Sequence, residues 1–294
     1  MFTKVHEKVK LYKTMAIKIY KPTTPARRKT SIVSFSDITK SKPEKKLTVT
    51  RKTFAGRNKS GKITVRHRGG GAKRRIRLVD FKRLKFNQPA SVAAIEYDPN
   101  RSARIALVQY EDGQLSYILA ADGIKVGDKI VSSDEKVAIK VGNRMPLEFI
   151  PAGINVYNVE LNPGQGGVMA RSAGSSAVVQ AIEGKFVQLK MPSGEIRLVK
   201  KECLATIGQV SNPDHRLVRL GKAGRQRHRG IRPSVRGKAM NPCDHPHGGG
   251  EGRHPIGMRY PKTKWGKHAM GVKTRNNKRW SNRMIIQRSR KESN

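Results

Sequence analysis

Residues 240–253, MNPCDHPHGGGEGR, crowd Cys243, Asp244, His245, His247 and Glu251 into a few positions, and two chemistries could use them. Zinc takes thiolate, imidazole and carboxylate ligands, but only at spacings that let four of them converge. His245 and His247 are separated by a single proline and no second conventional ligand pair lies nearby, so the spacing argues against a metal. General base catalysis needs a histidine oriented by a carboxylate, a part Asp244 could play for either ring. No Ser, Cys or Thr stands in a recognisable nucleophile elbow, and so glycine-rich a loop implies no pocket. A simpler chemistry remains: an imidazole can stack on a nucleobase or donate to a phosphate. Neither a cofactor nor a small-molecule substrate is expected.

Two further segments share that chemistry. Residues 56–83, GRNKSGKITVRHRGGGAKRRIRLVDFKR, alternate cations with glycines. Arg57, Lys59, Arg66, His67, Arg68, Lys73, Arg74 and Arg75 can hold phosphates, the guanidinium forks bidentately. Gly69, Gly70 and Gly71 would let backbone N–H groups approach a sugar-phosphate chain without a Cβ in the way. The bland alternative is a solvated charged loop. Residues 221–236, GKAGRQRHRGIRPSVR, offer Arg225, Arg227, His228, Arg229, Arg232 and Arg236 with almost nothing apolar between them. Gly224, Gly230 and Pro233 would each weaken a helix there, so an extended strand threaded between RNA helices is expected.

The elements that must position these groups are set apart by charge. The chain has 62 Lys and Arg against 21 Asp and Glu, a net charge of +41. Residues 1–84 carry 26 basic and 4 acidic side chains, residues 85–210 carry 14 and 13, and residues 211–294 carry 22 and 4. A nearly neutral centre able to fold alone is therefore flanked by two arms whose self-repulsion resists compaction without a polyanion. Nucleic acid is the partner class this implies, because each neutralised phosphate releases a condensed counterion. A membrane is not, since no run of about 18 apolar residues and no long basic amphipathic helix occurs. Met1–Thr14 lacks the apolar stretch of a secretory signal. Cys203 and Cys243 cannot build a disulfide framework, which suits a reducing compartment.

The centre reads as mainly β. Ser91–Tyr97, Ala103–Tyr110 and Leu115–Ala120 are short β-rich runs separated by turn signals, and Lys129–Val131, Ile154–Glu160, Ala177–Glu183, Phe186–Met191 and Ile196–Val199 repeat the pattern. No helical stretches alternate with them, so small antiparallel barrels are favoured over a parallel sheet. Ile63–Arg66 and Arg75–Asp80 are expected to supply the first strands, with a boundary near residue 125. A short helix is expected around Ser211–Leu220, capped by Ser211 or Asn212. The domains so delimited are an N-terminal extension at 1–60, barrels at 61–124 and 125–205, and a C-terminal extension at 206–294.

Several long motifs stand in one order: residues 56–83, YDPNRSARIALV from Tyr97, PGQGGVMARSAG at 163–174, residues 221–253, and GVKTRNNKR at 271–279. From about Met15 to about Arg290 the chain resembles bacterial-type large-subunit ribosomal protein two, a universal family that braces RNA around the peptidyl-transferase region. The resemblance implies an OB-like barrel followed by an SH3-like barrel, with basic N- and C-terminal extensions penetrating large-subunit ribosomal RNA. It implies neighbouring ribosomal proteins and the small subunit as further partners, roles in assembly and subunit association, and a place on the ribosome of a bacterial cytoplasm or a bacterial-derived organelle. An RNA-contact role carries over to His245, His247 and Arg253 within DHPHGGGEGR, to Arg225, Arg227 and Arg229, and to Lys273, Arg275, Lys278 and Arg279 within GVKTRNNKR. No catalytic role is carried over.

Departures from the pattern bear on those expectations. Met15 begins a family-like N-terminus, so residues 1–14 are either an extra arm or a misplaced start. Cys243 stands where a small aliphatic residue is expected, and residues 254–270 are only loosely family-like. Trp265 and Trp280 can stack on bases or anchor local packing, and the sequence leaves both readings open. A DNA-compacting protein would account only for the charge, lacking a recognition helix or a dimerisation pattern. An RNA-processing enzyme would need convergent acidic or nucleophilic residues, which the spacing does not offer.

Overall fold

Successive side chains of a strand face opposite ways, and this period of two organises the central elements. The computed structural model of the protein describes residues 17–288. They divide into two compact units: one comprises the chain up to Arg51, Lys73–Ala223 and the stretch from Met284, the other Lys52–Ala72 and Gly224–Arg283.

In the first unit, β1 (Ile17–Ile19) and β2 (Ser31–Val33) form an antiparallel ribbon, and β3 (Thr48–Thr50) pairs with β4 (Arg75–Arg77) in another. β5 (Ala90–Glu96), β6 (Ile105–Tyr110), β7 (Leu115–Leu119) and β8 (Lys129–Ile130) make a four-stranded antiparallel sheet in the order β7-β6-β5-β8. β6 begins with the unbroken apolar run IALV because both of its faces are covered. Ile105 and Leu107 pack with Ala94 and Tyr117 on one side, against Leu47 and Val79. Ala106, Val108 and Tyr110 join Val92, Ile118 and Ile130 in the larger core on the other.

The remaining strands are β9 (Arg144–Pro146), β10 (Asn155–Tyr157), β11 (Val159–Glu160), β12 (Gly167–Met169), β13 (Ala177–Glu183), β14 (Phe186–Lys190), β15 (Ile196–Lys200), β16 (Leu204–Ile207) and β17 (Ile285–Gln287). All but the β11–β12 pair join one sheet in the order β17-β15-β14-β13-β10-β16-β9. Met145, Leu147, Val156, Val179, Val187, Leu189 and Ile207 fill its core. The chain is thus mainly β, and its two successive antiparallel bodies accord with an OB-like barrel followed by an SH3-like one. The two cores are joined through β10, where Tyr157 reaches the first core and its hydroxyl donates to Leu119 O at 3.3 Å.

Several local expectations need correction. Ile63–Arg66 is not a strand; Ile63 makes only an isolated bridge with Arg57. The expected helix near 211–220 is a 3₁₀ turn, Pro213–Leu217, and Asn212 before it lies at φ 62 without a side-chain cap. Residues 221–236 are not uniformly extended, since α1 (Ala223–His228) is helical. Gly224 falls at its start and Gly230, at φ 84, just past its end, where glycine is tolerated or favoured, and Pro233 lies beyond. The question of Met1 or Met15 as start lies outside the described residues.

The first unit buries a charge pair. Arg144 Nη2 donates to Glu160 Oε1 at 2.9 Å, the two side chains being 0% and 1% exposed. Glu160 also accepts the backbone N–H groups of Gly164, Gly166 and Leu204. Burial and the nearby Arg83 pull the Arg144 guanidinium down to about 10 despite Glu160. Removing one partner of such a pair strands a buried charge and costs about 3–5 kcal/mol. Glu160→Ala strands Arg144 together with three backbone donors, whereas Arg144→Met leaves Glu160 its three donors. Urea unfolding followed by far-UV circular dichroism should therefore rank Glu160→Ala as the more destabilising; the reverse order would refute this account.

Candidate nucleic-acid interface

The second unit is built by two segments far apart in sequence. Gly69 N donates to Gly230 O at 2.9 Å, Ala72 N to His228 O at 2.9 Å and Arg232 N to His67 O at 3.0 Å, while Arg68 and Ile231 form an antiparallel bridge. His67 Nδ1 adds a bond to Pro233 O at 2.9 Å, with the ring as donor. A Cβ on Gly71 would stand 2.9 Å from both Cα and N of Gly230, so the close backbone approach expected of the glycine triplet is made to this chain's own backbone.

That pairing places the predicted cations on one unit. Arg57, Lys59, Arg66, Arg68, His228, Arg229, Arg232, Arg236, Arg253, Lys273, Lys278 and Arg279 are exposed, and Arg225, Arg227 and His67 half-buried. The unit contains only two carboxylate side chains, Asp244 and Glu251. Arg275 is half-buried and turned inward, donating from Nε to Asn282 Oδ1 at 2.6 Å and from Nη2 to Ser281 Oγ at 3.0 Å. Lys73, Arg74 and Arg75 belong to the first unit instead, with Arg74 Nη1 on Pro99 O at 3.2 Å.

The two histidines singled out above fold their own loop. His247 is buried, 9% exposed, and its Nε2 accepts the Lys262 N–H at 2.8 Å. His245 Nδ1 accepts the His247 N–H at 3.0 Å, and the two rings lie 4.7 Å apart between centroids. Gly237 packs so closely on the His245 ring that a Cβ there would clash at 2.5 Å. Both basic nitrogens named here are thus occupied by backbone donors. Burial, then His245 and Lys262, hold the His247 pKa below its ordinary value. Among the described residues no group of three or more His, Cys, Asp or Glu gathers as a metal site would require.

The first unit holds a cationic cluster that the sequence reading missed. Asp98, fully buried, shapes the turn after β5 by accepting Asn100 N at 2.9 Å and Arg101 Nε at 2.7 Å. Arg101 and Arg171 lie over one ring, Phe81, with Cζ atoms 5.4 and 4.4 Å from its centroid. Burial and then Arg101 lower the Arg171 pKa, as expected when like charges crowd together. Asp98 answers one of these charges, leaving the cluster suited to an anion. Its signal was present, since Arg101 lies in the motif YDPNRSARIALV and Arg171 in PGQGGVMARSAG, but the two stand seventy positions apart and nothing in the sequence brings them together.

Comparison with known families matches residues 44–132 to the RNA binding N-terminal domain of Ribosomal Proteins L2 and residues 140–266 to the C-terminal domain of the same family. The matches run consecutively through both β bodies and continue over α1 and the histidine loop. An RNA-binding N-terminal domain followed by the C-terminal domain of the same family, on a chain whose second unit is a nearly carboxylate-free cationic surface, leaves one assignment: this chain belongs to the ribosomal protein L2 family and has that family's structural, rRNA-binding role in the large subunit.

Proposed function

We propose that the first unit docks on ribosomal RNA as a preformed body while residues 52–72 and 224–283 complete their fold against it, supporting assembly of the large subunit and ordering the RNA of the peptidyl-transferase region. Neighbouring ribosomal proteins and, at subunit association, the small subunit are its further partners. Its location is the ribosome of a bacterial cytoplasm or of a bacterial-derived organelle. The observation that carries this reading is the backbone pairing of two like-charged segments into one surface, an arrangement a polyanion rewards and water alone does not. Arg57, Arg66, Arg68, Arg227, Arg229, Arg232 and Arg236 act there as phosphate ligands, and Arg101 and Arg171 form a separate phosphate site on the first unit. We assign the protein no catalysis of its own: His245 and His247 use their basic nitrogens to hold the loop.

Sucrose-gradient fractionation of a gentle lysate tests the reading as a whole. The protein should travel with large subunits at low and high salt and leave them after ribonuclease treatment; migration as a free protein would reject it. The phosphate site is tested by salt dependence. Each lost contact should flatten the slope of log K against log salt by about 0.7–0.9. Arg171→Gln should do so on ribosomal RNA, with circular dichroism unchanged, and an unaltered slope would remove it from the interface.

The histidine loop yields a pH prediction. Protonation would convert His247 Nε2 from acceptor to donor and break its bond to Lys262 N. The folded pKa lies below the ordinary value near 6.5, so the native state binds fewer protons than the unfolded one in that window. The loop's stabilisation is full above the unfolded pKa and declines as pH falls from there toward the lowered folded one. Hydrogen exchange at residues 258–268, corrected for intrinsic rate, should speed up between pH 7.5 and 5.5. His247→Gln, whose side-chain oxygen still accepts, should blunt the change, and a pH-independent protection would contradict the part given to the His247 Nε2 acceptor.

A further inference from the structure

The hairpin at residues 261–269 carries a tryptophan that is left largely exposed. Lys262 and His268 form an antiparallel bridge, Thr263 N donates to Lys267 O at 2.7 Å and Gly266 N to Thr263 O at 2.9 Å. These bonds define a three-residue loop, Lys264-Trp265-Gly266, with Gly266 at φ 75 in the left-handed position such loops use. The base of the hairpin is braced by Ala269 N on Pro261 O at 2.8 Å, by Tyr260 against His268 with centroids 4.2 Å apart, and by Lys262 N on His247 Nε2. Trp265 therefore stands at the tip of a held turn, and it is 73% exposed.

Arg66 lies over the indole, its Cζ 5.7 Å from the ring centroid. With that cation on one face and 73% of the residue still exposed, the other face is open. A tryptophan serving as a core anchor would be largely covered. The surrounding charge selects the occupant: Lys262, Lys264 and Lys267 stand within three positions of Trp265 in the chain, and no carboxylate side chain occurs between Arg253 and Lys291. An apolar protein partner would have to bury those ammonium groups unpaired, which is costly. Single-stranded RNA offers a π face for the indole and phosphates for the lysines in one ligand.

We propose that Trp265 is a stacking platform for an unpaired RNA nucleobase, with Arg66 backing the indole on its opposite face and Lys264 and Lys267 holding the flanking phosphates. The proposal rests on the ribosomal-RNA reading and adds to it the place where an unpaired base is received.

The test uses the full-length chain carrying Trp280→Phe, in which Trp265 is the sole fluorophore of its kind. Single-stranded oligoadenylate should quench its emission, whereas inorganic polyphosphate at equal saturation and an acidic peptide should not. In the otherwise native chain, Trp265→Ala should weaken oligoadenylate binding about tenfold, within the range set by stacking on one base, and leave polyphosphate binding unchanged. Trp265→Phe should keep most of the affinity. Equal quenching by polyphosphate or by the peptide, an unchanged oligoadenylate affinity in Trp265→Ala, or a Trp265→Phe chain as weak as Trp265→Ala would each overturn the stacking assignment. A starting protein that bound neither polyanion would overturn the RNA reading itself.

Discussion

Backbone pairing between residues 67–72 and 228–232 is the interaction on which the cationic surface depends. It joins two segments that carry the same sign of charge, and each such pair of charges about 10 Å apart in water costs roughly 0.4 kcal/mol, less when screened. Against this stand a few backbone hydrogen bonds, each returning about 0.5–1.5 kcal/mol net. The terms are of similar size, so the second unit is balanced rather than strongly held by its own contacts. Phosphates change the sign of the electrostatic side without touching the backbone bonds. This is the physical sense in which such a unit is made for a polyanion.

The first unit handles charge in the opposite way. Arg144 is answered by Glu160 in the interior, Arg101 by Asp98, and Arg104 by a bidentate pair with Asp37 at 2.8 and 3.1 Å. These pairs tie loops to barrels: the Arg104 guanidinium also lies over Phe35 and donates to Ser34 O, fixing the arm that follows β2. Ion pairs of this kind let the barrels fold before they meet RNA. The Arg101–Arg171 pair on Phe81 is where that rule is relaxed, and it is relaxed at the surface shared by two motif loops.

Much of the barrel region was legible in the sequence because burial there follows side-chain type. β5, β6, β7, β13, β14 and β15 announce themselves by β-branched runs between turn residues, and the structure pairs them consecutively. β16 was not legible, since LATI mixes sizes and a hydroxyl although all four residues are buried. β17 was hidden because Ile285–Gln287 follows a long basic stretch and pairs with β15 some ninety positions earlier. The union of the two arms left no trace, because it is made chiefly by backbone groups, which carry no pattern of hydrophobicity or charge.

His247 shows how residue type can mislead about role. Aspartate, histidine and glycine at short spacing suggest either a base or a ligand, and the same composition suits a loop that must satisfy its own backbone in little space. The deciding fact is which partner meets the lone pair. At Nε2 it is the Lys262 amide, and at His245 Nδ1 it is the His247 amide, so each imidazole does the work a β-ladder would do elsewhere. In a segment too rich in glycine and proline to form a helix or sheet, side-chain acceptors are the remaining way to satisfy buried N–H groups. The chemistry that first draws attention to the DHPH loop thus serves its folding, and that folding in turn fixes the hairpin that presents Trp265.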